Sequence, residues 1–140
     1  MKSILVAAAL MASTLSALAQ GLPTLDDVKK VTDAAMSKVG KGDIEGGLRT
    51  FKPLSIVPSA EFDVMISQAA LQLPGMTAKF GDILGYEFIR EDRLGESLAR
   101  YIYIHRFEKH AMRWVFYLYK GKDGWVVNTF RTDEKWDQLF

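Results

Sequence analysis

The sequence predicts an α+β fold in which N-terminal helices pack on a curled four-stranded antiparallel meander sheet. Three observations predict it. Apolar residues recur at spacings of three and four as far as Leu73, the period changes to two from Ile83 onward, and the breaks between the later segments are short. Connections that short force strand neighbours to run antiparallel.

The N-terminus reads as an export leader. Lys2 supplies a positive start, Ile4–Ala12 is an unbroken run of nine apolar residues, and Ala17-Leu18-Ala19 precedes Gln20 as an A-x-A cleavage pattern. A membrane-spanning helix needs about 20 consecutive apolar residues, so this segment predicts cleavage after Ala19 and a periplasmic or secreted chain. The expected domain is then 20–140, with no membrane span in the mature chain.

The first helix opens at Thr24, whose hydroxyl suits an N-cap, with Asp26 and Asp27 at the positive helix end. Leu25, Val28, Thr32, Ala35, Met36 and Val39 form one stripe. Lys38 and Gly40 are expected to close it, Gly40 as a left-handed cap. A short second helix starts at Asp43, turns Ile44, Leu48 and Phe51 inward and ends at Pro53. The third follows Pro58-Ser59, carries Phe62, Met65, Ile66, Ala69 and Leu73 on one face, and is expected to stop at Pro74-Gly75.

The strand half begins with Leu84, Tyr86 and Phe88 alternating with Gly85, Glu87 and Ile89, and Glu91 to Gly95 reads as a charged turn. Leu98–Lys109, Ala111–Lys120 and Trp125–Arg131 follow as three aromatic-rich strands. Trp136, Leu139 and Phe140 are expected to fold back onto the body. A hairpin at Lys109-His110 is expected to set Phe107 opposite Met112, His105 opposite Trp114 and Tyr103 opposite Phe116. One face then holds Tyr101, Tyr103, His105, Phe107, Met112, Trp114, Phe116, Leu118, Trp125, Val127 and Thr129. The other holds Ile102, Ile104, Val115, Tyr117, Val126 and Phe130, framed by Arg100, Arg106 and Arg113. A bulge would swap these faces locally. The sheet is apolar on both sides, and helices cover one, so the other predicts an interaction surface and a homodimer.

The stretch Arg113-Trp114-Val115-Phe116-Tyr117-Leu118-Tyr119-Lys120, followed by Gly124-Trp125-Val126-Val127, resembles the last two strands of the nuclear-transport-factor-two-like superfamily, the cystatin-like α+β roll. Gly81 and Gly85-Tyr86-Glu87-Phe88-Ile89 resemble its first long strand, and the likeness covers roughly residues 24–132. It implies a cone with an apolar pocket on the concave face, commonly in a dimer. It is a likeness of structural motifs, with no catalytic residue among them.

Composition narrows the function classes. Lys and Arg number 18 against 17 Asp and Glu, a balance without the basic field that steers proteins onto nucleic acid. The chain has no Cys, hence no disulfide and no thiolate metal site. His105 and His110 lie five apart, so on a strand they point to opposite faces and do not share a metal ion. No serine lies in a G-x-S-x-G context, and the glycine pairs lack a phosphate-loop setting. No catalytic residue and no cofactor are therefore assigned. The leading expectation is a non-catalytic module that binds a small apolar ligand in the cone. Tyr101, Tyr103 and His105 would orient the guest, and Phe107, Trp114, Phe116 and Trp125 would be walls. Two alternatives stand beside it. One is a protein-interaction or envelope factor using Arg100, Arg106, Arg113 and Tyr117 of the second face. The other, implied by the resemblance, is an isomerase- or dehydratase-like enzyme built on His105, Tyr101 and Tyr103 with Asp63 as acid, although no carboxylate is expected on the aromatic face and Glu87 is not placed.

Overall fold

The computed structural model describes residues 21–140, so the leader read over residues 1–19 lies outside the described residues. The elements are α1 (Leu25–Val39), α2 (Ile44–Phe51), a 3-10 turn (Lys52–Leu54) and α3 (Ser59–Phe80). Strands β1 (Ile83–Leu94), β2 (Leu98–Phe107), β3 (Ala111–Gly121) and β4 (Gly124–Asp133) follow, and then a final 3-10 turn (Trp136–Leu139). The strands lie in sequential order, each antiparallel to the next, and β1 and β4 do not pair, so the sheet is open. The predicted fold class is the observed one.

α1 follows its sequence closely. The Asp27 amide donates to Thr24 Oγ1 at 3.1 Å, and the buried residues are Leu25, Val28, Thr32, Ala35, Met36 and Val39, the same stripe. The expected left-handed cap at Gly40 is corrected, because its φ is −64° and the left-handed residue is Gly42 at +89°. Gly40 is needed for a different reason: a Cβ there would meet the Gly85 backbone and the Tyr86 ring at 3.1 Å, so its bareness lets α1 close onto β1.

α3 is longer than expected. It runs through Pro74, which sits on the exposed side, and ends at Gly81 with φ +86°. Pro74 has no N–H to give the Ala70 carbonyl. The helix nonetheless continues, carrying Met76 against the core and burying Phe80, whose ring packs on Phe107 with centroids 5.8 Å apart.

β1 extends to Leu94, so the charged segment Glu91–Leu94 is strand and the turn is Gly95-Glu96-Ser97. The β2–β3 hairpin pairs His105 with Met112, Tyr103 with Trp114 and Tyr101 with Phe116. That register is two residues from the expected one, and a slip of two leaves every side chain on its predicted face. In β4 the outcome differs. A bulge after Val127 pairs Thr129 with Tyr117 and Phe130 with Phe116, so Phe130 faces the helices and Thr129 faces away, the reverse of the expectation. Phe130 then joins Phe51, Phe62 and Phe116 in an edge-to-face cluster, with Phe51 at 5.5, 5.1 and 5.1 Å from Phe62, Phe116 and Phe130.

Candidate functional site

The helix-facing side of the sheet is filled. Tyr101 and Tyr103 are 0% exposed and His105 is 1%. Both phenols are committed to α1: Tyr101 donates to the Leu25 carbonyl at 2.7 Å, and Tyr103 donates to Asp33 Oδ1 at 2.6 Å and lies 2.8 Å from Thr32 Oγ1. Burial, and for Tyr103 the neighbouring Asp33, raises both phenols above their ordinary range. Lys29 closes this network on Asp33 at 2.8 Å and sits 4.2 Å over the Phe88 ring. The arrangement anchors α1 across β1 and β2. Phe107, Trp114, Phe116 and Trp125 are buried in the same layer.

His105 stands apart from its row. Its ring packs on Phe107 with centroids 4.5 Å apart, and neither ring nitrogen has a hydrogen-bond partner among the described residues. Burial pushes its pKa down from 6.5 to about 4, so the ring is neutral near pH 7. His110 packs on Phe80 with ring centroids 4.5 Å apart and is three-quarters covered. Where α2 and α3 meet the sheet, a crevice of about 50 Å³ lies between Leu48, Ala69, Met76, Met112, Trp114 and Phe130. That is room for a water or two and too little for an organic ligand.

Carboxylates reach this side by two routes the sequence did not display. A bulge between Phe88 and Arg90 turns Glu91 to the inner parity, opposite Tyr101, where Arg93 holds it at 2.8 Å at the exposed rim. Asp33 arrives from α1. Asp63 is exposed and paired with Lys52 at 2.7 Å, which holds its carboxyl below the usual range. Glu87 pairs with Ile104 and faces outward. No acid or base among these stands free beside a ligand-sized inner space.

The outer face is ordered in rows by its register. At the hairpin end, Leu94, Leu98, Tyr119 and Val126 lie side by side; the next row is Asp92, Arg100, Tyr117 and Thr129; the third is Arg90, Ile102, Val115 and Arg131. The first two rows, Val126 excepted, floor and wall a groove of about 470 Å³, with Asn128 of the β4 bulge at one side. Leu94, Leu98 and Tyr119 are 72%, 49% and 46% exposed. Arg100 Nε donates to Asp92 Oδ2 at 2.7 Å, and Arg90 Nε donates to the same carboxylate at 3.2 Å. Asp92 is held below the carboxylate range, first by Arg100.

The other end of this face is closed differently. Arg113 makes a two-pronged pair with Asp133, at 2.9 and 2.7 Å, and Arg90 donates to the Leu139 carbonyl at 2.9 Å, tying down the final turn. A broader depression of about 710 Å³ remains there, among Leu84, Ile104, Arg106, Trp136 and Phe140.

The sequence thus brought Arg100 and Tyr117 to the groove, with Arg113 engaged elsewhere and Arg106 exposed. It missed Leu94, Leu98, Tyr119, Asn128 and Thr129. One signal was present: Leu94 and Leu98 flank a Gly95 turn as solitary leucines among charges. Comparison with protein-family models, curated proteins and solved structures gave no match for the chain.

Proposed function

We propose that this chain is a non-catalytic binding protein for a small, largely apolar ligand, and that the ligand sits in the outer groove instead of the cone. One observation carries this: the groove is about 470 Å³ and walled mostly by Leu, Ala and Tyr, whereas the crevice between helices and sheet is about 50 Å³ and the recess of about 510 Å³ at the inner rim is lined mainly by polar residues such as Thr24, Asp26, Arg93, Glu96 and Lys120. Ligand clefts typically measure about 300–1,000 Å³, with mostly apolar walls and a few polar groups. The polar groups here are Asp92, Arg100, Asn128 and Thr129. Three helices followed by a curled meander support reading the chain as nuclear-transport-factor-two-like, and the apolar run at Ile4–Ala12 supports export to the periplasm or medium.

Titration with the uncharged fluorophore N-phenyl-1-naphthylamine tests the reading. Saturable binding is expected, lost in Leu98→Asp and kept in His105→Leu. The opposite pattern would return the ligand to the cone, and no saturation at all would overturn ligand binding.

The exposed row Leu94, Leu98 and Tyr119 favours one second reading, a homodimer joined through this face. Sedimentation would then show a dimer that Leu98→Asp separates.

A further inference from the structure

The groove has a polarity along it as well as a volume. At its hairpin end it is lined by Leu94, Leu98 and the Tyr119 ring, in one row with Val126 and with no charged group among them. One row inward Arg100 lines the groove, and one row further, just beyond its lining, sit Arg90 and Arg131 on the two edge strands. These three guanidinium groups face a single carboxylate, Asp92, within the three rows. Asp92 grips Arg100 only through Nε, so the two terminal nitrogens of Arg100 have no partner among the described residues. Arg131 is exposed and has no ion pair among them. The chain as a whole is balanced, with 18 basic and 17 acidic residues, so this excess is local to the face.

We infer that the groove takes a single-chain amphiphile with an anionic head, its tail lying on the Leu94–Leu98–Tyr119–Val126 row and its carboxylate or phosphate meeting Arg100 and Arg131. A guanidinium held at Nε presents its remaining N–H groups in a planar fork that fits the two oxygens of such a head. Four strands about 4.8 Å apart give a trough roughly 14 Å across, matched to a medium-length alkyl chain. Asp92 is a positioning residue: it holds both Arg100 and Arg90, and one carboxylate against three guanidinium groups leaves this part of the face net positive. The inference rests on the groove reading above and can fail without it.

Isothermal titration of the full chain with decanoate and with decyltrimethylammonium, equal in tail and opposite in head, separates the two. Decanoate should bind about tenfold tighter, the worth of one charged hydrogen-bonded contact. Arg100→Gln and Arg131→Gln should each weaken decanoate severalfold, and Arg131→Gln should leave N-phenyl-1-naphthylamine binding unchanged. Arg131 is exposed, so its variant leaves the fold intact. Equal affinity for the two heads, or Arg variants without effect while Leu98→Asp still abolishes binding, would overturn the anionic head and leave the groove standing. Failure of both amphiphiles and the neutral probe to saturate would overturn both readings.

Discussion

On the inner face of the sheet, Tyr101, Tyr103 and Phe116 lie at zero exposure beneath three helices, whereas on the outer face Leu94, Leu98 and Tyr119 remain open to solvent in a groove. Both faces are built by the same four strands, and both are rich in large side chains. The difference lies in what each has to cover it. α1 and α2 bring buried apolar stripes, and Phe51 of α2 packs on Phe62 of α3 and on Phe116 and Phe130 of the sheet. Among the described residues the outer face has only the final turn, anchored by Arg90 and reaching one end. Covered apolar surface becomes stability. Uncovered apolar surface next to positioned charge becomes a place to bind.

The largest expected effect should break the inner face. Phe51→Ala removes a ring in contact with Phe62, Phe116 and Phe130 and leaves a cavity between helix and sheet. It should cost about 3–5 kcal/mol in urea unfolding, enough to unfold a marginal domain.

His105 sharpens the same face by pH. Its pKa is about 4 folded against an ordinary 6.5, so as pH falls the unfolded chain takes the proton first. Stability should therefore decline from about pH 6.5 to about pH 4 and level off below, by roughly 3 kcal/mol in all. His105→Leu keeps an apolar side chain in the site and should flatten that part of the urea-midpoint profile. An unchanged slope would show that the imidazole is not buried neutral.

The smallest effect belongs to the outer face. Leu98→Ser should shift the unfolding free energy by no more than about 0.5 kcal/mol, as for an exposed position, while abolishing probe binding. A loss of 2 kcal/mol or more would mean that the groove is covered in solution, by a second copy or otherwise.

Much of this molecule was legible residue by residue. The stripe of α1, the N-cap at Thr24, the start of the second helix at Asp43, and the alternation of β2 and β3 follow from periods of 3.6 and 2 and from local hydrogen bonding. The β2–β3 register was misjudged by two residues without harm, since parity survives an even slip. Two bulges were harder. The extra residue at Ile89 turns Glu91 and Asp92 to new faces, and the extra residue at Asn128 exchanges Phe130 for Thr129. Each is a single step out of alternation, visible only when the partner strand fixes the pairing.

The candidate site divides the same way. That the sheet would be apolar on both sides was already present in the order of residues, because side-chain alternation is a property of one strand. Which side would be filled, and that the other would fold into a groove with Arg100 held at its wall, depends on four strands meeting in one register and three helices taking one face. Those are contacts between residues far apart in the chain, and no local spacing encodes them.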